Sequence, residues 1–75
     1  MVQVRVISNT KRNTVIVDGG TTVRQILDDN GINYSVGITS VDGAPLQAGE
    51  MDKTLDDFGI KDKCFISVVV KADNA

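Results

Sequence analysis

Apolar and polar positions alternate from the start of the chain, with Val2, Val4 and Val6 on one side and Gln3, Arg5 and Ile7 on the other. A period of two marks a strand with one buried face. The stretch from Ser8 to Arg12 is polar and turn-prone. Val15 and Val17 then form a second alternating run, with Thr14 and Ile16 opposite them. Two such runs predict an antiparallel hairpin. Asp18-Gly19-Gly20 ends the second strand, after which Val23, Ile26 and Leu27 recur at i, i+3 and i+4, the stripe of a short helix. Thr22 offers an N-cap hydroxyl with Gln25 three residues on. Asn30-Gly31 closes the helix, because glycine accepts the left-handed conformation just past a helix end. About nine helical residues are not stable alone in water, so the stripe must lie on a sheet.

Further on, Val36, Ile38 and Val41 mark a third strand whose phase stays open around Gly37 and Ser40, Asp42-Gly43 is a tight-turn signal, and Ala44-Pro45-Leu46 forms a short fourth strand. Pro45 has no amide hydrogen to donate, which suits a sheet edge. Gln47 to Lys53 shows no clear period. Thr54 to Ile60 predicts one helical turn, capped by Thr54 and burying Leu55, Phe58 and Ile60. Cys64 to Lys71 is the most apolar run, a last strand with Cys64, Ile66, Val68 and Val70 on one side and Phe65, Ser67 and Val69 on the other. These elements predict an α+β fold: a four- to five-stranded mixed sheet with one helix packed on one face. Residues 1–71 read as one domain and 72–75 as a short flexible tail.

The order of elements and several residue stretches resemble the ubiquitin-like β-grasp family. Thr54-Leu55-Asp56-Asp57-Phe58-Gly59-Ile60 is similar to ubiquitin's threonine-leucine-x-aspartate-tyrosine-x-isoleucine turn, and the strand from Phe65 to Val70 follows at the same distance. Val15 to Ile26 and Val41 to Leu46 are similar to ubiquitin's second strand with early helix and to its third hairpin. Gly31-Ile32 and Val41-Asp42-Gly43 also resemble the small sulfur carriers of thiamine and molybdopterin synthesis. The resemblance implies a β-grasp fold and, in both groups, chemistry through a C-terminal Gly-Gly. The residues after the last strand, Lys71-Ala72-Asp73-Asn74-Ala75, hold no Gly-Gly. Ubiquitin's recognition patch pairs an isoleucine on the third strand with a valine on the last. Val69 matches the valine, whereas Ser40 stands at the isoleucine position. The fold is thus expected to carry over without those two functions.

Composition removes other classes. The chain has 75 residues, a net charge of −2 and 41% hydrophobic residues, which is one small globular domain without the basic footprint of a nucleic-acid binder. Lys and Arg are scattered singly along the sequence. A lone cysteine, Cys64, makes no internal disulfide and favours a reducing, cytoplasmic setting; no membrane-spanning run is present. Cys64 falls on the inward side of its strand and has no histidine anywhere to act as its base, so it reads as a small core residue. Asp28-Asp29 and Asp56-Asp57 are adjacent pairs whose side chains diverge, and they read as caps and solvated faces rather than metal ligands. Gly19-Gly20-Thr21-Thr22 lacks a phosphate-loop lysine and reads as a turn into the helix. No catalytic residue, cofactor or metal site is expected, and the chain is not expected to be an enzyme.

The informative surface is the side of the sheet that a single helix leaves open. Ile7, Ile16, Phe65 and Val69 are expected there on three neighbouring strands, with Arg5 as a polar neighbour. A contiguous exposed apolar patch is a usual sign of a partner surface. The expectation is a non-conjugated ubiquitin-like protein-interaction module that uses Arg5, Ile7, Ile16, Phe65 and Val69, with homodimerisation through the same face as a further option. The alternative is a sulfur-carrier or modifier-type protein whose Gly-Gly is lost or truncated.

Overall fold

The computed structural model describes residues 1–9, 11–35, 37–47 and 49–70. The two alternating runs form β1 (Val2–Ser8) and β2 (Arg12–Val17), paired antiparallel from Val2–Val17 to Ile7–Arg12. Ser8 closes the hairpin: its amide donates to the Lys11 carbonyl, and its hydroxyl accepts from the Lys11 amide at 3.0 Å. The strand β3 (Gly37–Val41), the two-residue β4 (Ala44–Pro45) and β5 (Lys63–Val70) complete a five-stranded sheet in the order β2-β1-β5-β3-β4. The central pair β1–β5 is parallel and the others are antiparallel, so the sheet is mixed as expected. Pro45 lies on the edge strand, where its missing amide hydrogen breaks no ladder.

The helix α1 (Val23–Asp29) has seven residues, shorter than the nine the pattern suggested. Its caps account for the difference. The Thr22 hydroxyl accepts from the Gln25 amide at 3.1 Å, which fixes the start. At the other end Gly31 takes φ 68°, its amide donates to the Asp28 carbonyl, and the Ile32 amide donates to the Leu27 carbonyl at 3.0 Å. This is a Schellman closure, with the paired bonds that satisfy the last carbonyls of a helix. Asn30 adds a tie to the hairpin, donating to the Ile26 carbonyl and accepting from the Asn13 side chain at 2.9 Å.

Val23, Ile26 and Leu27 are buried against Val2, Val4, Val6, Ile66 and Val68 of the two central strands, with half-buried Val15 and Val17 at the margin. Fully burying such a side chain contributes about 1.5–3 kcal/mol relative to leaving it exposed. The helix therefore owes its stability to the sheet rather than to its own length.

The structure sets the phase of the third strand. Val36 lies outside the described residues. The sequence pattern leaves the phase of this strand open around Gly37 and Ser40, and in the structure Ile38 is 50% exposed, while Thr39 and Val41 are buried. Pairing decides this: Ile38 lies opposite outward Val69, and Val41 opposite inward Ile66. The fourth strand is also shorter than its predicted three residues, ending at Pro45.

The segment without a period contains a 3₁₀ turn, Glu50–Asp52, and a second follows at Asp56–Phe58. Thr54 caps the second reciprocally: its hydroxyl accepts from the Asp57 amide at 3.1 Å, and its amide donates to the Asp57 carboxylate at 3.0 Å. Leu55 is fully buried and Ile60 nearly so, while Phe58 is only half-buried. A bridge between Thr22 and Thr54 joins this segment to the start of α1. The Leu55 amide donates to the Thr21 carbonyl, and the Asp56 amide to the Gly19 carbonyl at 3.0 Å. Arg24 grips Asp52 with two bonds, of 2.7 and 3.2 Å, which keep its guanidinium above its ordinary pKa.

Residues 72–75, expected as a tail, lie outside the described residues. No helix among the described residues is long and apolar enough to cross a membrane.

Candidate functional site on the open face of the sheet

Because α1 covers one face, every second residue of the strands is left on the other. The strand register sorts these outward residues into rows across the sheet. Ile16, Gln3 and Lys63 share the first row; Thr14, Arg5 and Phe65 share the second. Arg12, Ile7, Ser67, Ser40 and Pro45 share the third, and Val69 with Ile38 makes the fourth. Rows are about 6.6 Å apart, two residues of strand rise.

These rows give each predicted residue a place. Phe65 and Val69 are 40% and 57% exposed, and half-buried Ile7 sits diagonally between them. Side chains of that size reach across a diagonal of roughly 7 Å. Ile38, whose facing the sequence pattern left open, continues this strip beyond Val69. Ile16 is 66% exposed but stands apart, since Gln3 and Lys63 complete its row and Arg5 lies between it and Phe65. Ser40, at ubiquitin's isoleucine position, pairs with Ser67, so two hydroxyls interrupt the apolar strip where the recognition patch would be centred.

An open groove of about 580 Å³ runs beside Phe65, bordered by Gln3, Arg5, Ile7, Lys63 and Asp42. A smaller one of about 280 Å³ adjoins it past Arg5 and includes Arg12. The backbone of Phe65 is held by Asp42, whose amide donates to the Phe65 carbonyl at 2.9 Å and whose carboxylate accepts from the Phe65 amide at 3.0 Å. The ring therefore projects from a fixed main chain. Asp42 and Gly43 both have positive φ, 52° and 87°, the form that a two-residue hairpin requires between Val41 and Ala44.

Among the described residues no chemistry-bearing constellation accompanies this surface. Cys64 borders the groove but is buried, and burial together with the negative charge of Asp42 pushes its thiol up to about 11. A thiol held protonated in this way is a poor nucleophile. Among the described residues no group of three or more histidine, cysteine, aspartate or glutamate side chains is arranged to hold a metal. The Gly19-Gly20 stretch is a turn closed by the Thr21 amide on the Asp18 carbonyl at 3.0 Å. A side chain at Gly19 would run into the Asp56 carboxylate, which accounts for glycine there.

No family profile and no curated protein matches the chain. Solved structures do. A ubiquitin-like domain of an Arabidopsis thaliana protein superposes with a TM-score of 0.70 at 26% identity, over 99% of this chain and 81% of that one. The ubiquitin of Caldiarchaeum subterraneum gives 0.67 at 11% identity, over 99% and 98% of the two chains. A chain of phenol hydroxylase from Pseudomonas sp. OX1 also gives 0.67, at 14% identity, over 93% of this chain and 73% of that one. Together with the central parallel pair, the single covering helix and the capped turn at Thr54, these likenesses show that the chain has the ubiquitin-like β-grasp fold.

Proposed function

We propose that this domain is a non-conjugated ubiquitin-like interaction module that docks a protein partner on the open face of its sheet. One observation carries the reading. Of the five exposed large apolar residues among those described, four (Ile16, Ile38, Phe65 and Val69) stand on that face. Ile7 joins Phe65 and Val69 into a strip, and Arg5 lines the groove beside it. At ~25 cal/mol per Å², covering a few hundred Å² of such surface yields several kcal/mol before association costs. Among the described residues no nucleophile is paired with a base, which supports binding rather than catalysis. The single buried cysteine fits a reducing cytoplasm.

The test is the double substitution Phe65→Asp with Val69→Asp. Both side chains are outward, so circular dichroism should show an unchanged fold, while co-purification of the partner from the native cell, or self-association by light scattering, should be lost. Undiminished association would refute the reading. Intact-mass analysis of the native protein addresses conjugation: a thiocarboxylate, or a covalent link from the chain's terminus to another protein's lysine, would replace the module with the carrier alternative.

A further inference from the structure

The cations look scattered in the sequence, yet the fold gathers three of them. Arg5, Arg12 and Lys63 are all exposed on the open face, in three successive rows, and none forms an ion pair among the described residues. Asp28, Asp29, Asp52, Asp56 and Asp57 belong to α1 and the two 3₁₀ turns rather than to the strands, whereas the three cations share the open face, with Asp42 at its edge. We propose that the groove beside Phe65 binds an extended acidic segment of a partner protein. Its carboxylates pair with Lys63, Arg5 and Arg12, and its apolar side chains cover Phe65 and Ile7. This rests on the docking reading above and adds the chemistry of the partner.

Charge complementarity selects the acidic occupant, and the spacing of the cations selects an extended one. Lys63, Arg5 and Arg12 are diagonal neighbours on three adjacent strands, roughly 7–8 Å from one to the next, close to the 6.6–6.8 Å or so at which alternate side chains of an extended segment recur. Asp42, at the β3 side of the groove, repels the segment's carboxylates towards Lys63, Arg5 and Arg12, away from its own charge. Arg5 borders both grooves and so contacts the segment wherever it crosses from one to the other.

The experiment is selection of random displayed peptides of about twelve residues on the full chain. Synthetic copies of the enriched peptides are then titrated against the native chain and against Arg5→Glu with Lys63→Glu. The enriched peptides should carry aspartate or glutamate at alternate positions around a large apolar residue. Their affinity should fall about tenfold or more both on charge reversal and on raising salt from about 50 to about 500 mM. If peptides enrich and depend on Phe65 but are neutral or basic, or ignore the charge reversal, the acidic partner is overturned while docking on this face stands. If no enriched peptide is lost on Phe65→Asp, both fall.

Discussion

Asp42 satisfies both main-chain hydrogen-bonding groups of Phe65, donating from its amide at 2.9 Å and accepting at its carboxylate at 3.0 Å. In a continued antiparallel ladder the second acceptor would be the Asp42 carbonyl. The left-handed turn at φ 52° ends that ladder, and the side chain takes the carbonyl's place. Asp42→Ala loses a charge-assisted bond and puts alanine in a left-handed conformation, so it should cost about 2 kcal/mol. Asp42→Asn keeps an acceptor oxygen and tolerates the turn, and should cost about 0.5 kcal/mol. Urea unfolding separates the two; equal losses would show that neither the acceptor oxygen kept by asparagine nor its tolerance of the turn contributes.

Leu55 has no exposed surface and anchors the second 3₁₀ turn beneath α1. Leu55→Ala removes a buried isobutyl group and leaves a cavity, at a cost of about 2–5 kcal/mol. A core of this size supplies only about 3–5 kcal/mol of net stability. The variant should therefore be largely unfolded or unfold at very low urea, as followed by circular dichroism. A midpoint close to that of the parent chain would mean that this turn is not part of the cooperative core.

Gly31 closes the helix at φ 68°, and the nearest atom to an added Cβ would be the mobile Lys11 Nζ at 3.2 Å. Conformation rather than space is the obstacle. Gly31→Ala should cost about 1 kcal/mol, and Gly31→Asn visibly less, since asparagine visits the left-handed region more readily. Thermal melts would give the order; alanine tolerated as well as asparagine contradicts it.

The thiol of Cys64 is held up to about 11 against an ordinary value of about 9.0, first by burial and then by Asp42. The folded state therefore holds the thiol proton more tightly than the unfolded chain. This contribution is complete below pH 9 or so and is lost as pH rises towards 11. The urea midpoint of the native chain should accordingly fall more steeply than that of Cys64→Val between about pH 8 and about pH 10.5. Parallel slopes would show that the thiol is not perturbed.

The sequence by itself determined the local elements and their inward faces. The alternation in β1 and β5, the stripe Val23-Ile26-Leu27, the caps at Thr22, Gly31 and Thr54, and the Asp42-Gly43 turn were all legible. Each depends on residues within a few positions of one another, where periodicity and capping chemistry act. Tertiary structure decided what depends on pairing between distant segments. The outward phase of Ile38 comes from Val69 opposite it, and the 3₁₀ turn at Glu50–Asp52 is tied through Asp52 to Arg24 on the helix. The placement of Ile16 apart from Phe65 follows from the register of three strands. The same holds for the three cations. Arg5 and Arg12 share one hairpin but Lys63 lies far along the chain from both, and only strand order together with the two-residue period of side chains sets the three side by side.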